Sequence, residues 1–115
     1  MDKSFCWSDA WLLLAVSCSR IGSLSSILTT GDGINKAIFT ADEVNGGLAR
    51  LSGARLISFF GKRVRVTQLG SEVVNHQSLN DLSLYAQIEP IAKLLNEIEI
   101  QDTLDMDAPK YTQAN

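Results

Sequence analysis

The chain has 115 residues, 45% of them hydrophobic and 20% charged, with a formal net charge of −3 at pH 7. That is enough chain for one domain with a single modest core, and the composition is that of a globular protein, not of a disordered or fibrous one. The acidic total excludes a uniformly basic nucleic-acid binder, yet residues 40–70 hold Arg50, Arg55, Lys62, Arg63 and Arg65 against only Asp42 and Glu43, while residues 71–115 hold Lys93 and Lys110 against eight acidic side chains. One half of the molecule can therefore present a local positive surface.

In chain order, the first marked segment is the apolar run Ala10–Val16. Ala15-Val16-Ser17-Cys18 has a faint likeness to a lipoprotein cleavage site, but the residues ahead of the run include one Lys and two Asp, where an export signal is positive. The run is read instead as a first core helix. Ser8 is its expected cap, Asp9 favours its positive end, and Trp7 is placed to staple onto Leu12. No segment is long enough to span a membrane. Gly22-Ser23 then marks a break, with Ser23 capping a second helix. Leu24, Ile27, Leu28, Ile34 and Ile38 share one face if that helix continues through Gly31 and Gly33. Each glycine costs the helix about 1 kcal/mol relative to Ala, so a kink or local unwinding is the alternative.

Phe39–Gly70 is the most informative stretch. Thr40 and Glu43 have capping-box spacing, and Phe39 and Val44 flank the same turn as a hydrophobic staple. Val44, Leu48 and Leu51 recur at helical spacing, which predicts a helix over 41–54 with one narrow buried stripe. Leu56–Phe60 and Val64–Val66, rich in β-branched and aromatic residues, flank Gly61-Lys62-Arg63 and predict a β-hairpin, the whole unit spanning 56–66. Alternation puts Arg63 and Arg65 on one face and Val64 and Val66 on the other. Thr67 caps a further helix with Leu69, Val73 and Val74 as its apolar members.

Thr40-Ala41-Asp42-Glu43-Val44, the Leu48 and Leu51 spacing, Leu56-Ile57 and Thr67-x-x-Gly70 together resemble the winged helix-turn-helix transcription regulators, broadly the MarR/PadR-like group. The resemblance covers roughly residues 8–77. It implies a mostly α fold with a small β-hairpin (α+β) and a winged-helix domain over 1–77, to which the periodicity of the residues that follow adds a C-terminal helical segment over 78–100 for packing or dimerisation. It further implies that 41–54 is the recognition helix, that 56–66 is the wing, and that the protein forms a homodimer. The group usually has glycine before the Leu-Ile pair, where the chain leaves the helix with positive φ. Here that place is Arg55, with Gly53 two positions earlier, which predicts a strained or shifted exit.

After the wing, Leu84, Ile88, Ile91, Leu95 and Ile98 are spaced 4, 3, 4, 3 as a heptad seam. Pro90 either opens a separate helix 90–100 or interrupts a longer one. The seam can fold back on its own domain or pair with a second copy. Residues 101–115 lack periodicity and are expected to form an acidic tail.

Catalytic and metal-binding chemistry have no candidate. Cys6 and Cys18 lack a C-x-x-C pairing and are expected to be small buried hydrophobes. His76 stands alone and is expected at the surface. Gly31-Asp32-Gly33 lacks both the acidic ladder of a calcium loop and the Lys of a phosphate loop. The expectation is a cytoplasmic binding protein without cofactor or metal, not an enzyme. On the predicted recognition helix, Asn45 and Arg50 are the side chains able to read adenine and guanine through paired hydrogen bonds, and Gly46 and Gly47 would allow close approach to a groove wall. On the wing, Lys62, Arg63 and Arg65 suit the phosphate backbone. Double-stranded DNA is the expected partner. The alternative is a winged helix that contacts another protein and does not bind DNA.

Overall fold

The structure, a computed structural model, describes residues 4–101 and Tyr111. Its elements are α1 (Trp7–Cys18), α2 (Leu24–Asn35), α3 (Ala41–Gly53), β1 (Ile57–Phe60), β2 (Arg63–Val66), α4 (Gln68–Val74), a 3₁₀ turn (Gln77–Leu79) and α5 (Leu84–Leu95). The fold is α+β: mostly helical, with one antiparallel hairpin.

α1 is the hub. Every residue from Asp9 to Val16 is buried, and the helix packs against α2, α3, α4, α5 and β2. A helix that is apolar all round has no solvent face to offer, so the chain wraps it. The helix begins earlier than its sequence suggests. Cys6, not Ser8, occupies the cap position, because Asp9 Oδ2 accepts the Cys6 amide at 2.9 Å. Cys6 and Cys18 are exposed, contrary to the expectation of burial, because they sit at the two ends of the helix where its turns meet solvent.

α2 runs unbroken through both glycines. Ser23 Oγ accepts the Ser26 amide, and Lys36 ends the helix in the left-handed region at φ 54°. Gly31 is there for space: a Cβ would lie 2.3 Å from the Phe39 ring. Phe39 stacks on Trp11 at 3.6 Å between centroids, and the Trp11 indole donates to the Gly31 carbonyl at 2.9 Å. Since the helix stops before Ile38, that residue leaves the predicted stripe and is 72% exposed.

α3 starts on the reciprocal Thr40–Glu43 box, with Glu43 Oε1 accepting the Thr40 amide at 2.8 Å and Thr40 Oγ1 accepting the Glu43 amide at 3.1 Å. Phe39, Val44, Leu48 and Leu51 are all buried. At the exit the Leu56 amide donates to the Leu51 carbonyl and the Arg55 amide to that of Ser52. This is the paired closure that normally recruits glycine, but Arg55 itself takes φ 62°.

The hairpin pairs Ile57 with Val66 through Phe60 with Arg63, leaving Gly61-Lys62 as the turn. Positive φ at Gly61 (58°) and not at Lys62 is what a II′ turn requires. A third extended segment joins the sheet's other edge. Ser23 bridges Arg63, and the Val64 amide donates to the Gly22 carbonyl at 2.8 Å. Gly22 is obligatory there, having φ 77° and a Cβ position only 2.7 Å from the Val64 oxygen.

α4 is capped by Thr67 and α5 by Ser83. α5 passes through Pro90 as one helix and ends at Leu95, short of the expected 100. Pro90 leaves the Ala86 carbonyl without its helical donor, and because Ala86 is exposed, solvent can meet it. Ile88, Ile91 and Leu95 are fully buried in the same core as α1, so the seam folds back on its own chain, while Leu84 stays 45% exposed. The Gln101 amide donates to the Gly53 carbonyl at 2.9 Å. The expected acidic tail, apart from Gln101 and Tyr111, lies outside the described residues.

Candidate nucleic-acid interface

The two side chains singled out for base reading have partners within the chain. Arg50 reaches across to Asp9, with Nε 2.6 Å from Oδ2 and Nη2 3.0 Å from Oδ1, in a two-pronged ion pair. The Asp9 side chain is 0% exposed and that of Arg50 24%. The glycine pair serves the same contact. A Cβ on Gly46 would sit 3.1 Å from the Arg50 guanidinium, and one on Gly47 would sit 2.7 Å from Leu12 and 3.0 Å from Asp9 Oδ1. Gly47 thus lets α3 close onto α1, and Gly46 leaves room for the Arg50 side chain on its own helix. Asn45 donates from Nδ2 to the Tyr111 carbonyl and accepts the Tyr111 amide at Oδ1, each at 2.9 Å. What α3 leaves exposed is Asp42 and Ala49, with Asn45, Gly46 and Arg50 half-buried between them. It is a small, nearly neutral face.

The hairpin carries the charge. Lys62, Arg63 and Arg65 are exposed, while Val64 between them is buried. Register places Phe60 opposite Arg63 and Ser58 opposite Arg65, so the 69%-exposed Phe60 ring shares the outer face with the guanidiniums. None of the three cations has an ion-pair partner among the described residues. Arg55, at the base of the hairpin, is exposed as well.

Arg20 belongs to this surface and was not apparent from the sequence. It precedes the Ile21–Ser23 segment that adds onto β2. With Ser19, Ile21 and Arg65 it borders a shallow depression of about 210 Å³. The available signal was Gly22 before the Ser23 cap, which marks a short extended piece between helices, but nothing local says which strand it joins.

His76 is exposed, and its Nδ1 accepts the Ser78 amide at the start of the 3₁₀ turn. A hollow of about 490 Å³ lies between α1, α4 and the start of α5, bordered by Leu14, Cys18, His76, Leu79 and Leu84; neither Trp7 nor Trp11 lines it. Among the described residues no group of three or more His, Cys, Asp or Glu is placed to hold a metal ion, and no helix is long and apolar enough to cross a membrane. Compared with known protein families, characterised proteins and solved structures, the chain gives no match.

Proposed function

We propose that the chain is a winged helix-turn-helix protein that binds double-stranded DNA as a cytoplasmic transcription regulator, with the hairpin as its wing. The observation carrying this reading is the coincidence of Lys62, Arg63 and Arg65, which have no ion-pair partner among the described residues, with a hairpin that follows directly from α3 and is joined at its far edge by the segment before α2. Exposed guanidinium and ammonium groups suit phosphate oxygens, which supply most of the affinity for DNA. Base reading by Asn45 and Arg50 requires each to exchange a partner in its own chain for a base edge. Sequence preference is therefore weak relative to backbone affinity. The homodimer implied by this reading remains part of the proposal, with a surface other than the buried α5 seam joining the copies.

The test is selection from a random duplex pool, comparing the native chain with a Lys62/Arg63/Arg65→Ala variant at low and moderate salt. The native protein enriches duplexes, and the variant loses affinity across all sequences. Its plot of log affinity against log salt is shallower by about 2–3, one increment of ~0.9 per lost phosphate contact. Equal weak binding by both proteins, abolished alike by moderate salt, sinks the reading. One observation favours a second reading, contact with another protein: the exposed face of α3 is small and lacks an unpaired cation. Under that reading the wing variant keeps its partner.

A further inference from the structure

We infer that the depression between Arg20 and Arg65 is a phosphate-binding subsite, placing Arg20 alongside the hairpin cations as a backbone contact. The inference rests on the DNA-binding reading above. Three features lead to it. Arg20 comes from the α1–α2 connection and Arg65 from β2, yet pairing of Ser23 with Arg63 brings both to the border of one hollow. Antiparallel register through that bridge sets Ile21 beside Arg65, so the exposed Arg65 projects from the sheet next to the residue that follows Arg20. Neither arginine has an ion pair or hydrogen-bonded side-chain partner among the described residues, and no carboxylate lines the hollow. Of the other lining side chains, the Ser19 hydroxyl accepts the Gly22 amide at 3.0 Å and lies 2.9 Å from that of Ser26, which fixes the floor of the connection.

Two arginines from separate elements that border one hollow, with no carboxylate in its lining, can both turn their guanidiniums to an anion bound there. A tetrahedral phosphate offers oxygens to both planar forks, which a halide cannot do. The chemistry is shared by a phosphodiester of DNA and by free phosphate. Continuity with Arg63 and Lys62 along the same strand and turn favours the phosphodiester.

The test measures duplex affinity against salt for the native chain, Arg20→Ala, Arg20→Lys and the Lys62/Arg63/Arg65→Ala variant, and in parallel titrates inorganic phosphate at constant ionic strength while following backbone amide shifts. Arg20→Ala is expected to weaken binding evenly across sequences and to lower the salt slope by about 1, with Arg20→Lys restoring the slope through its charge. An unchanged slope for Arg20→Ala while the wing variant loses affinity overturns the subsite and leaves the DNA reading standing. If no protein binds duplex, the DNA reading fails. Saturable phosphate shifts at Ile21, Gly22 and Arg65 that Arg20→Ala abolishes then support a site for free phosphate, and their absence overturns the subsite too.

Discussion

Asp9 and Arg50 are 41 positions apart, and their ion pair joins the first turn of α1 to the last turn of α3. A carboxylate with no exposed surface depends on that guanidinium and on the Cys6 amide for its charge to be tolerated. Arg50→Ala should therefore destabilise the protein by about 3 kcal/mol, the lower end for breaking a buried pair, because Arg50 is partly exposed. Urea unfolding at unchanged m-value reads it directly, and a loss under ~1 kcal/mol would show that solvent replaces the guanidinium. It follows that loss of DNA binding by Arg50→Ala is no evidence of base reading unless folding is monitored alongside. Arg55 poses the opposite case. It holds φ 62° where a left-handed conformation costs a side-chain-bearing residue roughly 1–2 kcal/mol, and its side chain is exposed. Arg55→Gly should stabilise the fold by about 1 kcal/mol and raise the melting temperature by ~4 °C. A lower melting temperature would mean that the Arg55 side chain contributes more than its backbone strain removes.

At the level of elements, α2 contains its own control. Gly31 and Gly33 lie in one helix, and on propensity alone each should gain about 1 kcal/mol on replacement by Ala. The surroundings separate them. Nothing lies within 4 Å of a Cβ on Gly33, whereas one on Gly31 meets the Phe39 ring at 2.3 Å, and that ring is stacked on Trp11. Gly33→Ala should therefore stabilise by up to ~1 kcal/mol and Gly31→Ala should destabilise by about 1–3 kcal/mol, the usual range for overpacking. Thermal melts of the two variants should move in opposite directions, and a common direction would refute the packing role of Gly31. The same contrast explains what the sequence made legible. The caps at Ser23, Thr40 and Thr67 were readable because their chemistry is complete within four residues. The reasons for Gly31 and Gly47 were not, because they lie in Phe39, Leu12 and Asp9, which reach them only after the chain packs. Asn45 and Arg50 were identified as polar side chains off the buried stripe of a helix, and so they are. Their engagement by Tyr111 and Asp9 depends on long-range contacts that periodicity does not report.

On the scale of the whole molecule, the question is what the α5 seam is for, since its 4-3 spacing fits self-burial and pairing equally well. α1 resolves the ambiguity physically. A helix buried from Asp9 to Val16 needs cover on every side, and Ile88, Ile91 and Leu95 of α5 supply one of those sides. Were the seam surrendered to a second copy, α1 would lose that cover. Ile91→Ala removes a fully buried side chain from this contact and should cost about 3 kcal/mol, within the range for large-to-small changes in a packed core. A seam used within one chain gives a loss that does not depend on protein concentration, whereas a seam shared between copies gives an unfolding midpoint that rises with concentration by mass action. Urea melts of the native chain and Ile91→Ala at two concentrations a decade apart should therefore give the same shift at both. A shift that grows as concentration rises would move Ile91 out of the single-chain core and into an interface, because the native chain would then gain more by mass action than the variant.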